Sequence, residues 1–319
     1  MPPGEDASLP IWLPPLGTIS RDEVYVPAGW FLSGGDPQAE AALPLNEVWL
    51  DAFIIQRFPV TNRDFIVFLD DLVAAGREDE ALEFAPRERA GPSGTTGPLI
   101  YGRDENGRFM LPLDADGDQW EPDWPVLKVS FTSARAYAKW LAAREGLPWR
   151  LPSELEWEKA ARGVDGRWFP WGDYLDPTFC CMQDSHAPGR RLPSSVSAYP
   201  LDESPYGVRG MAGNARDWCL DPFSEEGPFV DEDGQVAPVW DGDWDNIEQR
   251  RVVRGGAWWQ RADQARAANR LGVRAFLRDV GISFRLIRSI SVAYSAGTRG
   301  GSARRPAGGS GRSGTRGSG

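Results

Sequence analysis

Histidine is almost absent from this 319-residue chain, which has a single one, His186. A Ser-His-Asp triad could use only that residue, and a metal centre that needs two or three imidazoles cannot be built within one chain. Cysteine is nearly as scarce, with Cys180 and Cys181 adjacent and Cys219 remote. This arrangement matches neither a disulfide framework nor a zinc-ligand pattern, and it is typical of a reducing compartment.

The chain also lacks an excess of basic residues. Lys and Arg number 35 against 46 Asp and Glu, which gives a formal net charge of -11. Because a phosphate backbone or an anionic membrane surface attracts excess positive charge, we expect no nucleic-acid and no membrane partner. No apolar run approaches membrane-spanning length, and the N-terminus has no basic flank followed by an apolar stretch. The sequence therefore predicts a soluble, cytoplasmic protein.

Apolar and aromatic residues are plentiful. Hydrophobic residues make up 41% of the sequence, enough to bury a substantial core, and 15 residues are tryptophan. A buried indole needs a partner for its N–H group, so many tryptophans near turns predict a loop-rich fold held by side-chain-to-backbone hydrogen bonds. Among the strand-like runs, residues 47–55 and 282–287 are the clearest.

Three helices are marked by their ends. Ser153 with Glu156 three residues later is a capping-box pattern, and Gly163 ends the helix that it starts. The same reasoning, with a Thr or Ser cap at the start and a Gly at the end, predicts helices over residues 61–76 and 132–146.

Composition divides the chain into three parts. Residues 1–22 are Pro-rich and are interpreted as a lead or linker, and residues 23–290 as the folded domain. Residues 291–319 are a low-complexity Gly/Ser/Arg tail. Such a tail cannot bury enough apolar surface to fold, so we expect it to be disordered.

The residues from Arg251 to Arg285 contain a polar, tryptophan-bearing loop between two strand-like runs. Its start, Gly255-Gly256, indicates a tight turn or a close approach to another group. Because Trp and Arg are enriched at binding hot spots, we predict a binding surface that consists of Trp258, Trp259, Gln260, Arg261, Asp263, Gln264, Arg266 and Asn269. The competing interpretation places the Trp pair in the core and pairs the arginines with acids. Such structural roles are expected for Arg254, Arg270 and Arg285.

Eight motifs occur in the order found in the formylglycine-generating, sulfatase-modifying-factor family, which the chain resembles over residues 23–290. They are VYVPAGWFLSGG, FPVTNRDFIVFL, PVLKVSFTSARAYAKWL, RLPSELEWEKAARG, FPWGD, GMAGNARDW, RVVRGGAWW and GISFRLIR. Eight motifs in one order form a specific signature. The resemblance implies an α+β fold related to C-type lectins and similar to formylglycine-generating enzyme, loop-rich, with short antiparallel strands and about three helices.

The resemblance also implies an activity for which this chain lacks the key residues. Members of the family oxidise a cysteine of a nascent sulfatase to formylglycine with molecular oxygen, and two cysteines after the Arg-Gly-Gly motif hold copper(I). Here those two positions are Gln260 and Ala265. Copper(I) selects thiolates, whereas an amide oxygen is a poor ligand and a methyl group is none. Copper is therefore not expected, and Cys180 with Cys181 could replace the pair only in a rebuilt site.

Calcium sites are a further implication of the resemblance. One uses the loop that matches GMAGNARDW, with ligands implied at Gly210, Gly213, Ala215 and Asp217. The loop is also plausible as a hard-cation site in itself, because Gly-rich backbone leaves carbonyl groups free beside a carboxylate. The competing interpretation is a turn in which Asp217 only caps backbone amides. A second family site is expected to be lost, because Cys181 takes the place of its usual Asn.

These observations predict a non-catalytic member that binds a protein, peptide or carbohydrate. One alternative is an oxidase acting on protein cysteine through a relocated metal site. Another is a retroelement-diversified variable protein, although Trp259 and Gln260 are not residues that adenine-randomised codons usually yield. The branch that makes sulfur-containing histidine derivatives needs three iron-binding histidines, which the chain lacks. A bacterial branch appends the domain to Ser/Thr kinases, and the IWLPPLG and FCCMQDS segments resemble it, so association with such a kinase is expected.

Overall fold

The computed structural model describes residues 13–88, 97–113, 117–185, 191–237, 244 and 246–290. His186 and the tail at 291–319 lie outside these ranges, so the predictions made for them stay predictions. Within the described ranges, no helix has the length and apolar character needed to cross a membrane.

Four α-helices form in the described residues: α1 (Asn62–Ala74), α2 (Glu78–Phe84), α3 (Phe131–Glu145) and α4 (Glu154–Arg162). Three of them correspond to the predicted helices. The additional one, α2, lies in an acidic segment without a long apolar stripe. Its first turn carries Glu78, Asp79 and Glu80, whose charges favour the positive end of the helix dipole.

The capping box predicted at α4 forms, and the predicted Thr61 cap of α1 is also part of a capping box, with Asp64. At α4, the Ser153 hydroxyl accepts from the Glu156 amide, and the Glu156 carboxylate accepts from the Ser153 amide at 2.7 Å. The third helix, α3, begins slightly earlier than predicted. Its cap is Ser130 rather than Thr132, because the Ser130 hydroxyl accepts from the Ser133 amide at 3.1 Å.

Short strands complete the described fold: β1 (Glu23–Val26), β2 (Gly29–Ser33), β3 (Asn46–Leu50), β4 (Phe53–Gln56), β5 (Gly102–Arg103), β6 (Phe109–Met110), β7 (Trp149–Arg150), β8 (Arg216–Pro222), β9 (Arg250–Arg254), β10 (Arg270–Arg274), β11 (Ile282–Ser283) and β12 (Ile287–Ser289). Two runs predicted as single strands are each divided. Residues 47–55 form parts of β3 and β4, which belong to different sheets. Residues 282–287 likewise supply β11 to one sheet and the start of β12 to another.

Two four-stranded sheets organise the domain. The first has the order β1-β4-β12-β7 and is antiparallel, with Ile287 of β12 paired to Ile55 on one side and Arg150 on the other. The sheet therefore joins β12, the last strand of the described residues, to β4 and β1 near their start. The second sheet has the order β10-β9-β8-β11, in which only β11 and β8 are parallel. The α+β class and the mostly antiparallel character are confirmed.

Aromatic residues fill the main core between α1, α3 and the second sheet. Phe65 and Tyr137 stack at 5.8 Å between ring centroids, and Phe131 meets Trp218 edge-on at 5.9 Å. The indole of Trp218 is fully buried and donates to the Val129 carbonyl at 3.1 Å. Side-chain-to-backbone bonds of this kind satisfy polar groups that the short strands leave without a ladder partner.

A buried ionic network joins α4 to the second sheet. Glu158 accepts from Arg254 of β9 at 2.7 Å and from Arg162 at 2.7 Å, while Glu154 forms a forked pair with Arg270 of β10 at 2.5 and 2.9 Å. All five side chains are at most 2% exposed. Burial alone would raise the pKa of Glu158, but the Arg254 and Arg162 guanidinium groups hold it below its ordinary value.

Asp221 at the end of β8 should make stability depend on pH. Its carboxylate accepts from the Glu154 amide at 2.6 Å, and burial, followed by the Glu154 charge, raises its pKa to about 7. Since this folded pKa lies above the unfolded value, the group's contribution is complete below that unfolded value and is lost as pH rises through 7. We predict that Asp221→Asn raises the free energy of unfolding by about 2 kcal/mol more at pH 8 than at pH 5, because most of the loss between the unfolded and the folded pKa falls between those two pH values.

Urea unfolding at both pH values measures this difference. Asp233→Asn removes the same charge from an exposed position and should leave the free energy of unfolding unchanged at both pH values. An equal effect of Asp221→Asn at pH 5 and pH 8 would contradict the prediction.

Candidate functional site

The loop between β9 and β10, residues 255–269, is joined to the glycine-rich loop before β8. Gly255 has φ 87°, and a Cβ at Gly256 would lie 2.6 Å from the Ala212 carbonyl oxygen. Without side chains, the Gly256 amide can donate to that same oxygen at 3.1 Å. The predicted close approach is therefore between two loops of the protein itself.

The exposed part of the predicted binding surface is centred on Trp259. This indole is 42% exposed, and Arg261 and Asp263 beside it are exposed as well. A Cβ at Gly281 would lie 2.7 Å from the Trp259 Nε1 atom, so the indole rests on bare backbone. Trp258 points the other way, packs against a buried tryptophan cluster and donates to the Val280 carbonyl at 3.1 Å.

Two glutamines of the surface are partly buried and already hydrogen-bonded. Gln260 accepts from the Ala257 amide at 2.9 Å, and its backbone carbonyl accepts from the Gln183 amide at 2.7 Å. Gln264 accepts from the Arg216 guanidinium at 2.9 Å. Both side chains hold the loop in shape and leave only their edges to solvent.

Arg266 and Asn269 do not face solvent, and this narrows the predicted surface. Arg266 is 6% exposed, pairs with Asp36 at 2.7 Å and lies over the Trp168 ring at 5.0 Å. Asn269 is 2% exposed and accepts from the Glu40 amide at 2.6 Å. Their partners lie about 230 residues earlier in the chain. Arg266 and Asn269 therefore attach the loop to the rest of the domain and do not form part of an exposed surface.

Aromatic residues in the FPWGD turn and immediately before it lie next to this loop, although the sequence indicated only a turn there. Trp168 is 38% exposed, and its carbonyl accepts from the Ala267 amide at 2.8 Å. Trp171 is partly exposed and stacks on Phe169 with 5.4 Å between ring centroids. Their proximity could have been suspected only from the presence of two tryptophans in a short exposed turn.

The two positions that match the family thiols, Gln260 and Ala265, offer no thiolate. Ala265 is fully buried in an apolar cluster with Phe169, Met182, Ala212 and Cys180. Cys180 therefore lies close to one of the two positions, a proximity that the sequence does not reveal. Burial raises its pKa well above the ordinary thiol value and raises that of Cys181 to about 11, so both are protonated at neutral pH. Across the described residues, no group of three or more His, Cys, Asp or Glu could hold a metal.

Arg285 already contacts two of the four residues implied as calcium ligands. Its guanidinium donates to the Asp217 carboxylate at 2.6 Å and to the Gly210 carbonyl at 2.9 Å. The Trp157 indole donates to the same Asp217 oxygen at 2.8 Å, and the Gly213 carbonyl accepts from the Ala215 amide at 2.9 Å. One Asp217 oxygen is buried without a hydrogen-bond partner among the described residues. The Arg285 guanidinium already beside Asp217 disfavours a calcium ion at the same place, and the calcium site stays a prediction to be tested by thermal unfolding.

Asp202 anchors the glycine-rich loop, and nothing in the sequence marks it for this role. Its two carboxylate oxygens accept from the amides of Met211, Ala212 and Gly213 at 3.1 to 3.2 Å. Burial raises its pKa to about 6, against the opposing effect of these amides. The loop amides are therefore engaged by the protein and are not available to an anionic ligand.

We predict that calcium does not stabilise the protein, because Arg285 supplies the positive charge at Asp217. Thermal unfolding in excess EGTA and in excess calcium chloride should give the same midpoint. Arg285→Gln should lower the midpoint in both solutions, since it leaves the Asp217 carboxylate buried and unpaired at a cost of about 3 kcal/mol or more. A calcium-dependent rise of the wild-type midpoint that Asp217→Asn abolishes would overturn this expectation.

Comparisons with known proteins identify the family of the domain. A sequence model of the sulfatase-modifying factor enzyme 1-like domain matches residues 17–290. Hercynine oxygenase of Mycolicibacterium smegmatis is 33% identical over 81% of this chain and 58% of its own length. Serine/threonine-protein kinase pkn1 of Chlamydia caviae is 27% identical, over 79% of this chain and 35% of the kinase. Inactive C-alpha-formylglycine-generating enzyme 2 of Bos taurus is 28% identical, over 78% of this chain and 82% of its own length.

Solved structures support the fold. PvdO from Pseudomonas aeruginosa superimposes with a TM-score of 0.59 at 22% identity, over 85% of this chain and 96% of its own. Treponema denticola variable protein 1 superimposes with a TM-score of 0.54 at 16% identity, over 83% of this chain and 94% of its own. The chain spans 58% of the length of the oxygenase and 35% of the length of the kinase. Each of those proteins therefore contains a large part that has no counterpart in this match. The match over residues 17–290 nevertheless establishes that this chain belongs to the FGE-sulfatase family of sulfatase-modifying-factor domains.

Proposed function

We propose that this domain is a non-catalytic member of its family and acts as a binding module for a protein, peptide or carbohydrate. The observation that carries the proposal is the chemistry at the two thiol positions. Gln260 uses its amide oxygen to hold the Ala257 amide, and Ala265 is enclosed by apolar side chains. Neither can supply the thiolate that copper(I) requires.

The exposed face around Trp259 has the composition and the rigidity of a recognition surface. Trp259 and Arg261 are exposed together, and Trp and Arg dominate binding hot spots. The buried pair Arg266 with Asp36 fixes the loop from behind. A surface held in one conformation loses little entropy on binding, which favours affinity. The partly exposed Trp168 extends the aromatic area beside it.

Association with a Ser/Thr kinase is the narrower form of this proposal. It is supported by similarity to pkn1, in which the matching part is about a third of the protein. The alternative of an oxidase with a relocated metal site draws support from the similarity to hercynine oxygenase. The diversified-protein alternative has in its favour a shared fold with the Treponema variable protein.

We predict that purified protein binds no stoichiometric copper(I) and consumes no oxygen with a cysteine-containing peptide. The Gln260→Cys and Ala265→Cys double variant serves as the comparison, because thiolates select copper(I) and any metal it binds above the wild-type level reports on those two positions. Metal analysis after anaerobic loading and an oxygen electrode provide the readouts. Stoichiometric copper or iron with turnover in the wild type would favour the oxidase alternative and contradict the proposal.

We also predict that Trp259→Ala reduces recovery of the natural partner at least tenfold, since a central hot-spot residue contributes about 2 kcal/mol or more. The immobilised chain would be exposed to lysate of the cells that encode it, and captured proteins and glycans identified by mass spectrometry. Trp30→Ala is the matched control, because Trp30 is 41% exposed but lies on β2.

A Ser/Thr kinase captured by wild type and Trp30→Ala but not by Trp259→Ala would support the kinase-linked form. Equal recovery by Trp259→Ala would place the binding face elsewhere.

A further inference from the structure

A second concave region lies apart from the Trp259 surface. It is a cavity of about 680 Å³ between α3, the ends of β3, β7 and β12, and the segment around Val236. None of the described residues that line it belongs to the 255–269 loop. Its volume lies within the range of small-molecule sites, and its floor is apolar, formed in part by Phe53, Ala138 and Leu151.

Three tryptophans line the cavity: Trp49, Trp149 and Trp244. The Arg135 guanidinium lies over the Trp244 ring, 4.4 Å from its centroid, and donates to the Trp244 carbonyl at 3.3 Å. Arg251 also lies over the Trp244 ring at 4.8 Å, and Arg288 lies over the Trp149 ring at 5.4 Å. The apolar floor together with Trp49 therefore offers the surface for a flat, apolar portion of a ligand. The cavity is therefore suited to an aromatic ring.

Among the described residues of the lining, cationic side chains outnumber anionic ones, whereas the chain as a whole is acidic. Three cationic side chains face two anionic ones. Arg150 and Glu156 neutralise each other through a forked pair at 2.7 and 2.8 Å. Arg135, Lys139 and the exposed Asp51 are the other charged residues of the described lining.

Lys139 differs from the other two lysines of the chain. Lys128 donates to the Glu88 carbonyl at 2.8 Å, and Lys159 is buried and donates to the carbonyls of Pro27 and Gly29. For Lys139, no hydrogen bond or ion pair involves the ammonium group within the described part of the chain. It follows Arg135 by four residues on α3, so both cations lie on one helix face beside the cavity.

We propose that this cavity binds a small anion that carries a planar aromatic ring. The ring lies against the apolar floor and the Trp49 indole, and the anionic group accepts hydrogen bonds from Lys139 with support from the Arg135 charge. Either a phosphate or a carboxylate meets this requirement. The proposal is independent of the Trp259 surface and of the non-catalytic assignment, because it uses none of the same residues.

Isothermal titration calorimetry on the full chain tests the proposal with two probes, AMP for the phosphate and 4-hydroxybenzoate for the carboxylate. At least one should bind, and Lys139→Gln should weaken that binding about tenfold through loss of one charge-assisted hydrogen bond. Arg63→Gln removes the same charge from an exposed position on α1 and should leave affinity unchanged. Because Lys139 is exposed, its substitution should preserve the fold, which a thermal melt verifies.

Three results would each overturn the proposal. The first is the absence of binding by both probes at millimolar concentration. The second is equal affinity of wild type and Lys139→Gln. The third is binding of adenosine or of inorganic phosphate as tight as that of AMP, since the site would then not require both the ring and the charge.

Discussion

The pairing of α4 carboxylates with arginines of the second sheet is the interaction on which the rest of the domain depends. Glu154 and Glu158 lie one turn apart on α4 and meet Arg270 and Arg254 at 2.5 to 2.9 Å, with every partner buried. Each isolated charge would cost several kcal/mol to bury, so the four groups are stable only together. Arginine suits this role because its planar fork satisfies two acceptors at once.

Both ends of the 255–269 loop are fixed by this network. Arg254 is the last residue of β9 and Arg270 the first of β10, so the loop leaves and re-enters the sheet at paired arginines. Between them, Arg266 is held by Asp36 and the Gly256 amide by the Ala212 carbonyl. Loops in proteins are usually the least stable parts. This loop is instead fixed at both ends and in the middle, and it presents Trp259 from a rigid base.

Local features of this fold could be predicted from the sequence, whereas features that depend on distant partners could not. The capping box of Ser153 and Glu156 is contained within four residues and is confirmed by its hydrogen bonds. The burial of Arg266 and Asn269 depends on Asp36 and Glu40, whose positions only the assembled fold determines. Strand runs were predicted as continuous because apolar periodicity does not reveal which sheet a residue joins. The division of residues 282–287 between two sheets is such a case.

Buried cationic side chains that already have a partner differ from exposed groups that a ligand could still contact. Most buried positive charge is carried by arginine and is matched by a carboxylate or a set of carbonyls, as at Arg285 with Asp217 and Gly210. That pairing also disfavours a second cation at the glycine-rich loop, which by composition fits a cation site. A site for a ligand must instead offer groups that folding has not already satisfied. In the described residues, the exposed indole of Trp259 and the unpaired ammonium of Lys139 meet that condition, and they lie on different surfaces. If both proposals hold, the fold presents two separate regions for recognition without the thiolate pair of the oxidases.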